Sequence, residues 1–352
     1  PQYKAEGASV LLDPQWHVPG FSNTQLEGYP SADLRSSVTD LMSITDNQLE
    51  DLRAKLVSEN STLSTDAVIS PAIVYAAGRN DIIQLNIKLH RVARSAASEL
   101  GIPCYGTAFL GSSITNSLHL IETTLSSITS LNSDGWYFGF EFPAERIPSS
   151  TDAVYRCLRA ALLLAQTGQP VLHAYAGPLG ILSFAAGCTA AASGPSQKQW
   201  RFCPERWEES NGGGGGGNAP ARYFSRNLWG TIVFPDETIM LPPDIQARIF
   251  ESSPFAPVPL PSTWKNDAKK HLSYTVCKGM EDIANNHGFA NCRRAAEQLL
   301  DDAIELHARI ESQHVTLKDE TASYQSNWRA ALTILAQNHA DDFEFLDMLL
   351  DQ

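Results

Sequence analysis

Apolar and polar positions alternate along this chain with two different periods. Between residues 66 and 193, short apolar and β-branched runs take turns with longer stretches whose apolar residues recur every three or four positions. The first pattern is that of buried strands and the second that of amphipathic helices. Residues 67–76 (AVISPAIVYA) predict a strand, followed by Gly78, a cap at Asn80 and Asp81, and a helix over 82–100 that Gly101 stops. Residues 103–110 (PCYGTAFL) repeat the strand and 118–131 the helix. Residues 136–142 (WYFGFEF) are a third strand, with Ser149, Ser150 and Thr151 leading into a helix over 152–166. Residues 170–176 (PVLHAYA) are a fourth, a short helix follows at 179–186, and 188–193 (CTAAAS) make a fifth.

These strands start near 67, 103, 136 and 170, at intervals of 36, 33 and 34 residues, the length of a strand-helix unit. Strands apolar on both faces and alternating with helices imply a parallel sheet. The predicted fold class is α/β, a β/α barrel of the TIM type, incomplete or irregular, with an all-helical C-terminal extension. The alternative is an open doubly wound parallel sheet. The barrel is favoured because residues 8–13 offer a further strand at the start, and 199–203 and 228–234 offer two more at the end. No G-x-G-x-x-G loop follows any strand, which removes the main sign of a dinucleotide fold.

Before the barrel pattern, residues 33–41 and 46–57 carry helical spacing, with Thr45 as an N-cap. After it, Gly212 to Gly217 form a run of six glycines, read as a surface insertion. Pro254, Pro257, Pro259 and Pro261 mark a stiff connector over 254–262. The expected organisation is a barrel-like domain over 1–253, that connector, and a helical subdomain over 263–352. In the last part Cys292, Ala296, Leu299, Ala303, Leu306 and Ile310 form one apolar seam; Tyr324, Trp328, Leu332 and Leu335 mark another helix, and Phe343, Leu346 and Leu350 a third.

Composition narrows the function classes. The 352 residues carry 26 basic and 39 acidic side chains, a formal charge of −13. Duplex binding needs clustered Lys and Arg, so nucleic acid is not an expected partner. From residue 267 onward there are fifteen acidic and eight basic side chains, so part of the charge belongs to a solvated helical surface. No run approaches the roughly 18 apolar residues of a membrane span, and the chain starts without a secretory h-region, which makes the cytoplasm the default location. The six cysteines show neither C-x-x-C nor Cys-His ligand spacing, so reduced thiols and no structural zinc are expected.

In a barrel or parallel sheet, ligands sit at the carboxyl ends of the strands. That rule selects Asp13 with His17, Asp81, Ser112, Glu141, His173 with Tyr175, and Ser193, with Trp16, Asn80, Ser113 and Glu145 beside them. Glu141 interrupts an aromatic run, where a carboxylate needs either a partner or a raised pKa. Strand alternation puts it on one face with Tyr137 and Gly139. His173 falls on the next strand, and Glu141 and His173 together are the expected acid-base pair. The bland reading is an ion pair of Glu141 with Arg79 or Arg146, and a core histidine at 173. The small-residue loops at 177–180 and 192–196, with Lys198 and Arg201 nearby, are weak phosphate-site candidates. His307, Glu311 and His314 share helical spacing, but a di-iron bundle needs a second Glu-x-x-His copy that is absent. No metal or cofactor motif is present. Two functions are expected as alternatives. One is a barrel enzyme performing general acid-base chemistry on a small polar or phosphorylated metabolite. The other is a non-catalytic scaffold or interaction subunit that docks a protein partner or a second copy through 263–352.

Overall fold

The computed structural model describes residues 9–17, 38–142, 147–194, 199–204, 220–257, 260, 264, 267–317 and 322–350. The six-glycine run, Glu145, Arg146, Lys198, residues 33–37 and prolines 259 and 261 lie outside the described residues. The chain folds as two compact units: residues 1–141, 167–172 and 203–214 make the first, and 142–166, 173–202 and 215–352 the second.

One sheet holds six parallel strands, β1 (Leu11–Leu12), β2 (Ala67–Ile69), β3 (Cys104–Leu110), β4 (Gly135–Phe140), β5 (Val171–His173) and β6 (Ala190–Ala191), ordered across the sheet as they are in the chain. A doubly wound sheet would reverse its strand order at a switch point. Here every connection steps the same way, and a series of right-handed crossovers in one direction puts the helices on one face and curls the sheet toward the other. The result is a curled half-barrel, open where a complete barrel would close, with β1 and β6 as its edges. The two strands expected to complete it do not join. Residues 199–203 form no strand, and β8 (Gly230–Phe234) pairs antiparallel with β7 (Ala221–Ser225) as a separate hairpin. A turn of four residues lets these two segments satisfy each other locally.

In the first unit, β3 and β4 fit together by placing rings over glycines. A Cβ at Gly139 would lie 2.4 Å from the Phe109 ring, one at Gly135 2.7 Å from Tyr105, and one at Gly106 2.7 Å from Trp136. The parallel register sets Phe109 opposite Gly139 and Tyr105 opposite Gly135, so large and bare positions alternate across the pair.

Helix signals in the sequence translate well. The helix α2 (Asp46–Leu63), preceded by the short α1 (Val38–Met42), opens on a complete capping box: Thr45 Oγ1 accepts from the Gln48 N–H, and Gln48 Oε1 accepts from the Thr45 N–H at 2.9 Å. The helix α3 (Asn80–Leu100) ends at Gly101 in the left-handed region, as expected. Asp81 does not cap it. It lies in the first turn, exposed, and pairs with Arg79 at 2.7 Å.

Strand lengths translate poorly. The strand expected over 67–76 stops at Ile69, because Pro71 has no N–H to give and a side chain takes over the ladder. Buried Asn86 on α3 accepts from the Ile73 N–H and donates to the Ile73 carbonyl, each at 2.8 Å. The strand expected over 170–176 ends at His173, since Tyr175 and Gly177 both take positive φ. Tyr175 therefore does not continue the alternation begun by Val171 and His173.

The described helices continue with α4 (Ser112–Thr115), α5 (Leu118–Ile128), α6 (Thr151–Ala165), α7 (Gly180–Ala185), α8 (Pro243–Ile249), α9 (Ala268–Ala284), α10 (Phe289–Ser312), α11 (Ala322–Asn338) and α12 (Ala340–Leu350). In the second unit the Pro-rich segment packs into a core: Ala256 is buried with Tyr223, Ile232, Trp264, Ala268 and Leu306. On α10 the buried seam uses Leu300 in place of the expected Leu299. Trp328 of α11 donates from Nε1 to the Pro148 carbonyl at 2.6 Å, and Ser150 caps α6 by accepting from the Ala153 N–H. No described helix is long and apolar enough to cross a membrane.

Relief of strand entropy would favour Gly139→Ala by roughly 0.5–1 kcal/mol. The clash with Phe109, which is fully buried, outweighs it. Chemical denaturation of G139A should show a loss of about 1–3 kcal/mol, and the F109L/G139A double variant should recover part of it.

Candidate functional site

At the carboxyl end of β1 the chain turns over the concave face of the half-barrel within the first unit. Asp13 organises this turn. Its Oδ1 accepts from the Gln15 backbone N–H at 2.8 Å, and its Oδ2 accepts from Gln15 Nε2 at 2.6 Å. This local bonding lets Gln15 hold φ of 56°, a left-handed conformation that costs a non-glycine residue about 1–2 kcal/mol. The same Oδ2 accepts from the hydroxyl of Tyr137 on β4 at 2.8 Å, although the two residues are 124 positions apart in the chain. His17 is buried, places Nδ1 3.9 Å from Asp13 Oδ1, and stacks on Phe109 with ring centroids 4.3 Å apart. Phe109 in turn meets Tyr137 at 5.3 Å. Trp16 is buried between them in sequence, and its Nε1 finds no acceptor among the described residues.

Two more expected residues meet at the ends of β3 and β4. Glu141 Oε2 accepts from the Ser112 backbone N–H at 2.6 Å, and the Glu141 carbonyl accepts from the Thr115 hydroxyl. A Cβ on Gly111 would sit 2.9 Å from the Tyr75 carbonyl, which calls for a glycine there, and 3.5 Å from Glu141 Oε2, an ordinary contact. Of the two arginines considered as its ion-pair partner, Arg79 is engaged with Asp81 and Arg146 lies outside the described residues.

The remaining candidates sit in other surroundings. His173, in the second unit, is 2% exposed. Its Nδ1 lies 2.6 Å from the Ser183 hydroxyl and its Nε2 4.0 Å from Cys157 Sγ. Burial pushes its pKa down to about 4, and pushes the Cys157 thiol well up. This neutral imidazole among inert thiols is a core residue, and the environment lends no support to the general-base role expected of it. Tyr175 packs against Phe202, and among the described residues the Ser193 hydroxyl donates to its neighbour's carbonyl at 3.5 Å. The small-residue loop at 177–180 answers to packing: Cβ atoms there would strike Trp200 and Met280. His307 is buried and Glu311 exposed, and His314 lies past the end of α10 with positive φ, so the helical spacing does not carry through all three. No group of metal-ligating side chains occurs among the described residues, and all six cysteines are free thiols.

Asp13, His17, Ser112 and Glu141 were legible as strand-end residues. Tyr137, Gln15 and Phe109 were not singled out. The alternation of WYFGFEF placed Tyr137 on the right face, but nothing in the spacing announced that Asp13 would reach it. No protein-family model matches the chain, and no curated protein matches it significantly.

Three buried histidines of the second unit, His173, His271 and His307, have pKa values lowered from 6.5 to about 4 by burial. The unfolded chain takes up protons between those values that the folded chain refuses. Stability is therefore full above about pH 6.5 and is lost as pH falls toward 4, with a slope approaching about 1.4 kcal/mol per pH unit for each histidine. Urea unfolding from pH 8 to 4.5 should show a plateau and then this decline. A His307→Gln variant should flatten it by about a third.

Proposed function

We propose that this protein is an enzyme of general acid-base type that binds a small polar metabolite on the concave face of the half-barrel, within the first unit. The hydrogen bond between the Tyr137 hydroxyl and the Asp13 carboxylate carries this reading. Two polar groups meet there beside the stacked rings of Phe109 and His17, just past the carboxyl end of β1, the end at which parallel α/β sheets bind ligands. A left-handed Gln15 beside them is the kind of local strain that clusters at functional sites. Asp13 takes a proton from a hydroxyl or amine of the ligand and gives the same proton back, the Tyr137 hydroxyl steadies the carboxylate by donating to it, and Trp16 Nε1 supplies a donor for a ligand acceptor. Glu141, held by the Ser112 amide at the end of β4, is the second carboxylate of the site.

Thermal-shift screening of the full chain against sugars, sugar phosphates, nucleosides and hydroxy acids tests the proposal. At least one compound should raise Tm by about 5 °C when present near 100 times its Kd, an effect of roughly 2.7 kcal/mol. D13N and Y137F should keep a cooperative transition and lose that response. A compound that stabilises all three proteins equally would move the site elsewhere, and a silent screen would remove the reading.

A non-catalytic interaction subunit is the second reading. It is favoured by Phe345 and Met348, 41% and 58% exposed and three residues apart on α12. A silent screen, together with concentration-dependent association that F345S/M348S abolishes, would establish it over the first.

A further inference from the structure

The second unit holds a cavity of about 230 Å³ whose walls include Ser253, His271, Tyr274, Thr275 and Lys278. Four of these residues come from α9 at positions i, i+3, i+4 and i+7, one helix face. Ser253 arrives from the Pro-rich segment, where it closes a tight turn: its N–H donates to the Ala256 carbonyl and its carbonyl accepts from the Ala256 N–H, both at 3.1 Å. The turn presents the Ser253 hydroxyl 3.0 Å from His271 Nδ1. On the other side of the ring, Nε2 is 2.9 Å from the Phe224 carbonyl, which only an N–H can satisfy. The tautomer is thereby settled. Nε2 carries the proton, and Nδ1 is left as an acceptor facing Ser253, with the Thr275 hydroxyl as a more distant donor at 3.3 Å. Tyr223 stacks on the imidazole at 4.3 Å and Trp264 meets it edge-on, so the ring cannot turn away.

We infer that Ser253 and His271 form a nucleophile-base pair, a site separate from the concave face of the first unit, acting on small uncharged carboxylic esters. The substrate class follows from the walls. Arg226 is paired with Glu251 at 3.2 Å and Asp282 at 2.6 Å, and Lys278 with Glu281 at 2.9 Å and Asp282 at 3.4 Å, so the positive groups are balanced and an anion gains little there. The cavity volume suits a short acyl chain, and Tyr274, which packs edge-on against Phe255, gives it an aromatic side.

The chemistry balances with water as the only co-reactant. Ser253 Oγ bonds to the ester carbonyl carbon as its proton passes to His271 Nδ1. The C–O bond to the alcohol breaks, and the departing oxygen takes that proton. Water then adds to the acyl carbon, giving a proton to Nδ1; the bond to Oγ breaks, and Ser253 takes the proton back. Proline at 254 means that the amide following the serine has no N–H to offer. Arg226 and Lys278 line the same cavity; paired as they are, they leave no net charge to hold an anionic substrate and offer only N–H donors to a transient oxyanion.

Reaction of the full chain with an alkyl fluorophosphonate, followed by intact and tandem mass spectrometry, tests the assignment. Oγ displaces fluoride from phosphorus and the proton again goes to Nδ1. One adduct per chain should map to Ser253 and be absent in S253A. H271Q should slow it about 100-fold, the usual contribution of a positioned base. Should H271Q fail to fold, the pH profile of the unaltered chain decides. Labelling should be constant from pH 8 to 6 and fall toward pH 4, where His271, whose pKa burial holds near 4, takes up a proton. T275V, which removes the competing hydroxyl, should label at least as fast as the parent. No adduct, an adduct at another serine, or labelling of Ser253 at an unchanged rate in folded H271Q would overturn the proposal.

Discussion

Between β3 and β4, aromatic rings lie over bare Cα atoms, and much of the first unit depends on that fit. Phe109 occupies the space a side chain at Gly139 would need, and Tyr105 does the same at Gly135. The constraint is steric: interiors are close-packed, so a ring can lie flat against a neighbouring strand only where that strand carries no Cβ. Because Phe109 is held this way, His17 has a platform to stack on, and the turn after β1 is fixed over the concave face. Tyr137, one position before Phe138 and two before Gly139, then points where Asp13 can receive its hydroxyl. The Asp13–Tyr137 contact rests on this packing relation between β3 and β4.

The second unit shows the same polar residue type used in two ways. His173 and His307 are enclosed, and their partners are a serine and a thiol in one case and the amide of Gln325 in the other. Removal from water keeps them neutral, and they act as hydrogen-bonding core residues. His271 is equally buried but has one edge on a cavity, with its tautomer set from behind by a backbone carbonyl. His271 differs from them in having a partly exposed hydroxyl on its acceptor nitrogen.

Local features were legible from sequence alone to the extent that their energetics are local. The N-cap at Thr45, the stop at Gly101 and the helix start after Ser149 and Ser150 each depend on residues within four positions, and all appear where the spacing put them. The β-α succession was equally visible, and so were Asp13, His17, Ser112 and Glu141 as strand-end residues. Strand lengths were not, because they depended on distant competitors. Asn86 takes the backbone of Ile73, and positive φ at Tyr175 ends β5 two residues beyond His173 at most. A one-residue shift on α10, from Leu299 to Leu300, likewise reflects what the helix packs against.

The amino-acid order by itself determined a parallel α/β succession, an acidic helical C-terminal region and a set of polar residues at strand ends. Only the tertiary structure decided that the sheet stops as a half-barrel, since β8 found its partner in β7 within a few residues and was not available to close it. It alone decided that Asp13 meets Tyr137 across β2 and β3, and that His271 meets Ser253. Such pairings follow from curvature, register and burial, which sum over contacts far apart in the chain. No window of neighbouring residues contains them.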